Sequence, residues 1–290
     1  MNILSLFNAQ PFLFYSVMGV FGLCIGSFLN VVIYRLPSML QHQWRQQCQD
    51  FLEIKDANTN HQTFNLMWPA SHCPHCTQPL RYWHTIPLLS FLVWRGRCAM
   101  CQTPIKMRYI IVELITAVLT IVLSVHYGPS IALIGGLIFS YFLIALSFID
   151  SEQQLLPDTL TLPLLWLGLL TSVWRIFNFP TTAIIGAIAG YSSLWLFSYL
   201  FTKLTHKRGM GHGDFKLLAA LGAWVGWYLL PLVILGACLL GILVTLFLII
   251  SKRRSSEMPI AFGPFLAMSG WFSLLWGDVV LYQYMRWFGL

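Results

Sequence analysis

The chain has 290 residues, of which 57% are hydrophobic and only 9% charged, with a mean hydropathy of +0.70. A soluble domain carries about a quarter charged residues, so the composition excludes an ordinary soluble enzyme and points to a polytopic membrane protein. The formal net charge of +7 comes from basic residues gathered in a few loops. That pattern sets membrane orientation and is not a nucleic-acid signature, so no nucleic-acid partner is expected.

Taken in chain order, the apolar runs predict eight transmembrane helices, at about 11–34, 109–127, 131–149, 159–177, 181–203, 214–229, 231–250 and 262–288. Run 214–229 is short for a span, and the last is long enough to tilt or to continue past the membrane. No Lys or Arg precedes the first run and Arg35 follows it, so it reads as a retained span and not as a cleavable signal peptide. The expected class is an all-α polytopic membrane protein, with about eight transmembrane helices and a polar segment between the first and second. Three regions follow: 1–34, a first transmembrane helix; 35–108, the polar segment; and 109–290, a transmembrane core.

Of the 17 Lys and Arg, all but Arg175 and Arg286 fall within 35–108, 203–216 and 251–259. Positive-inside logic places those three segments in the cytoplasm and the N-terminus on the periplasmic side. Small-xxx-small pairs recur within the spans, at Gly22/Gly26, Gly186/Gly190 and Gly222/Gly226. They predict close helix packing, because lipid offers no hydrophobic drive for association.

The polar segment starts as a soluble-looking helix over 38–66 and continues into paired cysteines. About 70 residues make a marginal core, so a metal or docking onto the spans is expected. Cys73-Pro74-His75-Cys76 and Cys98-Ala99-Met100-Cys101 form two C-x2-C knuckles separated by 21 residues. This donor set suits a tetrahedral zinc site, with all four positions filled and hence structural. The alternatives are disulfides or unpaired thiols, and a reducing cytoplasm disfavours disulfides. His72, His75 and His84 read as solvent-facing, Cys24 and Cys238 as packing residues, and Cys48 as an incidental thiol.

Only five of the ten acids touch apolar runs: Glu113, Asp150, Asp158, Asp214 and Asp278. Asp158, after Leu156-Pro157, reads as an N-cap, and Glu113 as a partner for Arg108 or for a base on another helix. Asp278 falls toward the opposite membrane face. Asp150 closes one run and Asp214 opens another, and the alternation of spans puts both at the cytoplasmic boundary. Carboxylates at a lipid boundary are costly unless paired, hydrated or functional. Two facing carboxyls can share a proton and activate water, but topology alone leaves a proton relay or a helix cap equally open. A zincin or a G-x-S-x-G hydrolase is disfavoured, since neither motif is present.

At these residues the chain resembles the bacterial type IV prepilin peptidases, bifunctional leader peptidase/N-methyltransferases of the GxGD class of intramembrane aspartic proteases. The resemblance is carried by Gly26-Ser27-Phe28-Leu29-Asn30, both cysteine knuckles and Gly96-Arg97-Cys98. It extends through Phe148-Ile149-Asp150, Leu156-Pro157-Asp158, Gly209-Met210-Gly211-His212-Gly213-Asp214-Phe215-Lys216 and Phe262-Gly263-Pro264-Phe265. The chain departs from the family at Thr85-Ile86-Pro87 and at Tyr109-Ile110, where the family often has Asn and Pro.

The resemblance implies that Asp150 and Asp214 are the catalytic pair. The implied substrates are type IV prepilins and type II secretion pseudopilins, whose basic leader is cut after Gly on the cytoplasmic side of the bacterial inner membrane. It further implies methylation of the new N-terminus with S-adenosylmethionine, associated with the zinc-bearing segment, where Gly96 and Arg97 match a methylation-linked position. Membrane lipid is the other expected partner.

Overall fold

A computed structural model describes residues 10–52, 65, 66, 68, 76, 78, 97, 98, 100–104, 106–206, 209–251 and 260–287. Eight α-helices lie among them: α1 Pro11–Phe51, α2 Met107–Tyr127, α3 Ile131–Gln153, α4 Asp158–Val173, α5 Pro180–Thr205, α6 His212–Val225, α7 Leu230–Ile250 and α8 Gly263–Trp287. Among the described residues there is no strand, only an isolated bridge between Arg97 and Pro104, so the all-α expectation holds.

Six helices are long and apolar enough to cross a membrane: α1, α2, α3, α5, α7 with the short turn before it, and α8. The chain is a multi-pass membrane protein. The other two expected spans are shorter helices, 16 residues in α4 and 14 in α6. A helix of that size rises about 21–24 Å, against a hydrocarbon core of about 30 Å. Their ends explain the shortening. Past α4, Arg175 adopts φ 52°, and α6 stops at Gly226 with φ 83°, a left-handed conformation that favours glycine. Gly226 therefore ends the helix, and it also packs closely as its spacing from Gly222 predicts, since a Cβ there would lie 2.9 Å from Thr182 Cγ2.

The chain divides into two compact units, Met1–Pro129 and Ser130–Leu290. In the first, α1 is one 41-residue helix running straight through Pro37. The helix expected from 38 onward is thus the continuation of the first span, described as far as Phe51. Strong helix formers after Pro37 (Met, Leu, Gln, Arg) carry it on, and at about 60 Å it is twice a hydrocarbon thickness. α1 meets α2 through the predicted small residues. A Cβ on Gly22 would lie 2.8 Å from the Ala117 Cα, and one on Gly26 2.7 Å from the Glu113 Cα. Glu113 is fully buried in that seam. Buried Arg35, within α1, donates from Nη1 to the carbonyls of Asn65 and Leu66, 3.1 Å each, tying that part of the polar segment back to the helix.

In the second unit, α6 is the centre. From Phe215 to Val225 every residue except Lys216 is buried, which is why this helix is apolar all round. α5 approaches it backbone to backbone, because a Cβ on Gly186 would overlap the Gly222 carbonyl and one on Gly190 would lie 2.5 Å from the Leu218 oxygen. At its far end the Trp224 indole N–H donates to the Leu164 carbonyl at 2.8 Å, and the Asn178 amide donates to the Trp224 carbonyl. Trp271 in α8 donates to the Ser140 hydroxyl of α3 at 2.7 Å. Gly186→Ala should therefore cost about 2 kcal/mol or more by forcing α5 off α6. A clear fall in the thermal midpoint of the detergent-solubilised protein is expected.

Cys24 and Cys238 lie on exposed helix faces and are not the interior packing residues expected.

Candidate active site

Asp150 occupies the last turn of α3 and is 5% exposed. Asp214 occupies the first turn of α6, directly after the Gly211-His212-Gly213 start. One helix thus ends, and another begins, with a carboxylate at the same end of the unit. The two groups are within electrostatic reach of each other, as the topology predicts.

A third helix end completes the site. Gly263, the first residue of α8, donates its backbone N–H to Asp150 Oδ2 at 3.0 Å. Asp214 stands in the first turn of α6, where a Cβ on Gly211, the N-cap residue, would lie 3.9 Å from the Asp214 Oδ2. Both carboxyls thus face the positive ends of helices, where negative charge is favoured. Asp214 Oδ1 is buried without a hydrogen-bond partner among the described residues. An orphaned buried oxygen is costly in a structural acid, but it suits one that must bind water or a substrate carbonyl.

Leu156 spaces the site. A Cβ on Gly213 would lie 2.7 Å from the Leu156 Cβ, and one on Gly263 3.3 Å from its Cδ2 and 2.6 Å from Asp150 Oδ2. Glycine is required at both positions for close approach, not for backbone conformation. Two residues on, Asp158 differs from expectation. Pro157 holds the N-cap position of α4 and Asp158 makes no capping bond. Its carboxylate instead accepts from Lys216 Nζ with both oxygens at 2.7 Å, tying the start of α4 to α6. At the other end of the bundle, the side chains of Tyr228 and Asp278 interact, far along α8 from Gly263, as the sequence predicts for Asp278. The sequence reading missed the roles of Gly263 and Leu156. The available signal was a glycine opening a helix just after the basic loop 251–259, which returns the chain to the face carrying Asp150.

The polar segment supplies a second candidate centre. The Sγ atoms of Cys76, Cys98 and Cys101 lie within 4.8 Å of one another, and three converging thiols fit a zinc donor set. The second knuckle is built by the Cys98 N–H on the Thr103 carbonyl (2.9 Å), the Gln102 N–H on the Cys98 carbonyl (3.0 Å) and Gln102 at φ 57°. Cys73, Gly96 and the histidines His72, His75 and His84 lie outside the described residues. Arg97 is exposed at the base of the knuckle.

Residues 20–127 match the Bacterial Peptidase A24 N-terminal domain, and residues 137–246 match the Type IV leader peptidase family. A prepilin leader peptidase/N-methyltransferase of Aeromonas hydrophila is 46% identical over 283 residues, covering 98% of both chains. The chain belongs to the type IV leader peptidase family. Its relatives include proteins of the same description from Pseudomonas putida, 43% identical over 100% of both chains, and from Neisseria gonorrhoeae, 47% identical over 90% of both. No solved structure matches the chain. The second family region contains both Asp150 and Asp214, and the first contains all four knuckle cysteines.

Proposed function

We propose that the chain removes the basic leader of type IV prepilins and type II secretion pseudopilins, cutting after Gly, and then methylates the exposed N-terminus. The observation that carries the protease reading is the meeting of Asp150 and Asp214 at adjoining helix ends, one anchored by Gly263 and the other with an unmatched oxygen.

The chemistry follows from a shared proton. With one carboxyl ionised and the other protonated, the ionised member takes a proton from water as the water oxygen bonds to the scissile carbonyl carbon. The protonated member donates to the carbonyl oxygen. The tetrahedral intermediate collapses as a proton passes to the leaving amine and the C–N bond breaks. A prepilin, with a polar leader followed by an apolar helix, presents its scissile bond at the membrane boundary. We place that boundary on the cytoplasmic face of the inner membrane, with the N-terminus periplasmic, from the distribution of Lys and Arg.

For the second reaction, the new amine attacks the methyl carbon of S-adenosylmethionine, releases S-adenosylhomocysteine and loses a proton. We assign this activity to 35–108, with Gly96 and Arg97 as candidate contributors, and the peptidase core to 109–290. Zinc held by Cys73, Cys76, Cys98 and Cys101 would cross-link this segment and leave no open position for substrate.

Two experiments test these assignments. The purified chain in liposomes should convert a prepilin to a shorter product, and the product should gain one methyl group only when S-adenosylmethionine is supplied. A prepilin left at full length would refute the protease reading, and a cleaved product that is never methylated would refute the transferase. Cys98→Ser should lower bound zinc from about one per chain to a small fraction, measured by elemental analysis. Undiminished zinc would remove the four-cysteine site.

A further inference from the structure

α7 is the least covered of the long helices, with only 11% of its most apolar window buried. One of its faces forms a wall of an open apolar groove of about 470 Å³, running along Cys238, Gly241, Thr245 and Ile249 and closed on the other side by Phe262 and Phe265. The groove makes no polar demand, since the Thr245 hydroxyl is spent on the Gly241 carbonyl at 2.6 Å. It has room at its floor, where a Cβ on Gly241 would meet nothing nearer than Phe265 Cδ2 at 3.5 Å.

Position distinguishes this groove from ordinary lipid-facing surface. Phe262, at its mouth, precedes Gly263, whose N–H holds Asp150 at 3.0 Å. From Ile249 to Cys238 the helix rises about 16 Å, roughly three turns and half a hydrocarbon core. The small side chains of Cys238, Gly241 and Thr245 allow another helix backbone to come close, which a disordered lipid tail does not need. A substrate cut just before its apolar helix must hold the first turns of that helix near the carboxyl pair, and the mouth of this groove, at Phe262, is one residue from the Gly263 N–H that holds Asp150.

The geometry points to one occupant: the first three turns of the prepilin's apolar helix lie in the groove between α7 and the start of α8. This inference rests on the protease reading and adds to it the surface that binds the substrate's helix. It also explains how a basic enzyme holds a basic leader, since affinity would come from the helix and not from charge.

Cys238 is a native probe. In an Asp214→Asn background with Cys24 and Cys48 changed to Ser, single cysteines are placed at each of the first dozen or so apolar positions of a prepilin and oxidised in membranes. Disulfides to Cys238 are expected at substrate positions three and four apart, all lost on Cys238→Ser. No disulfide to Cys238 at any position, or disulfides only between two copies of the enzyme, would overturn the groove. Cleavage of the same prepilin by the chain with Asp214 intact keeps the protease reading separate from that outcome. Gly241→Leu, which fills the floor, should raise KM for the prepilin about tenfold, and an unchanged KM would count against the groove.

Discussion

Changing Asp214 to Asn is expected to cut prepilin cleavage by at least about a thousandfold, and Asp150→Asn should do the same. The substitution keeps shape and volume, so neither helix end is disturbed. At position 150 an amide oxygen can still accept the Gly263 N–H that Asp150 accepts at 3.0 Å. What is lost is the ability to take a proton from water or to pass one to the substrate oxygen. Expression and bound zinc should therefore match the parent chain while the leader stays attached. Leader removal at the parent rate in either variant would exclude that aspartate from the chemistry.

The second large effect is expected at a residue with no reactive side chain. In Gly263→Ala the new methyl would sit 2.6 Å from Asp150 Oδ2 and 3.3 Å from Leu156 Cδ2, so the carboxyl must move. A displacement of about 1 Å at a reacting group costs on the order of a hundredfold in rate. Gly263 is not in the left-handed region, and alanine is well tolerated at a helix start, so the loss should be in kcat and not in folding. Full activity in this variant would show that Asp150 can shift without harm, and that its hydrogen bond to Gly263 is structural only.

Hydropathy makes the helices legible in the sequence, because apolar runs are displayed there directly. The helices around Asp150 and Asp214 fall where the apolar runs place them, and alternation alone sends both acids to one end. Three features were hidden for physical reasons. A hydrophobic run does not reveal whether its helix stops at the membrane surface, so α1 was expected to end near residue 34 although it continues through Pro37 to Phe51. Capping preference identified Asp158 as a cap, but a lysine 58 positions away competes for its carboxylate and wins. Periodicity shows that a face is buried without naming its neighbour, so the contact between Gly263 and Asp150, 113 residues apart, could come only from the folded chain. Gly186 and Gly222 show the reverse. Their spacing announced close packing, and they are found against each other.

The most direct measurement compares Asp150→Asn, Asp214→Asn and the double variant side by side, as the rate of leader removal from a prepilin in liposomes. Two carboxyls sharing one proton act as a unit, so each single variant should be as inactive as the double. A single variant that still removes the leader well above the level of the double would contradict a shared catalytic pair.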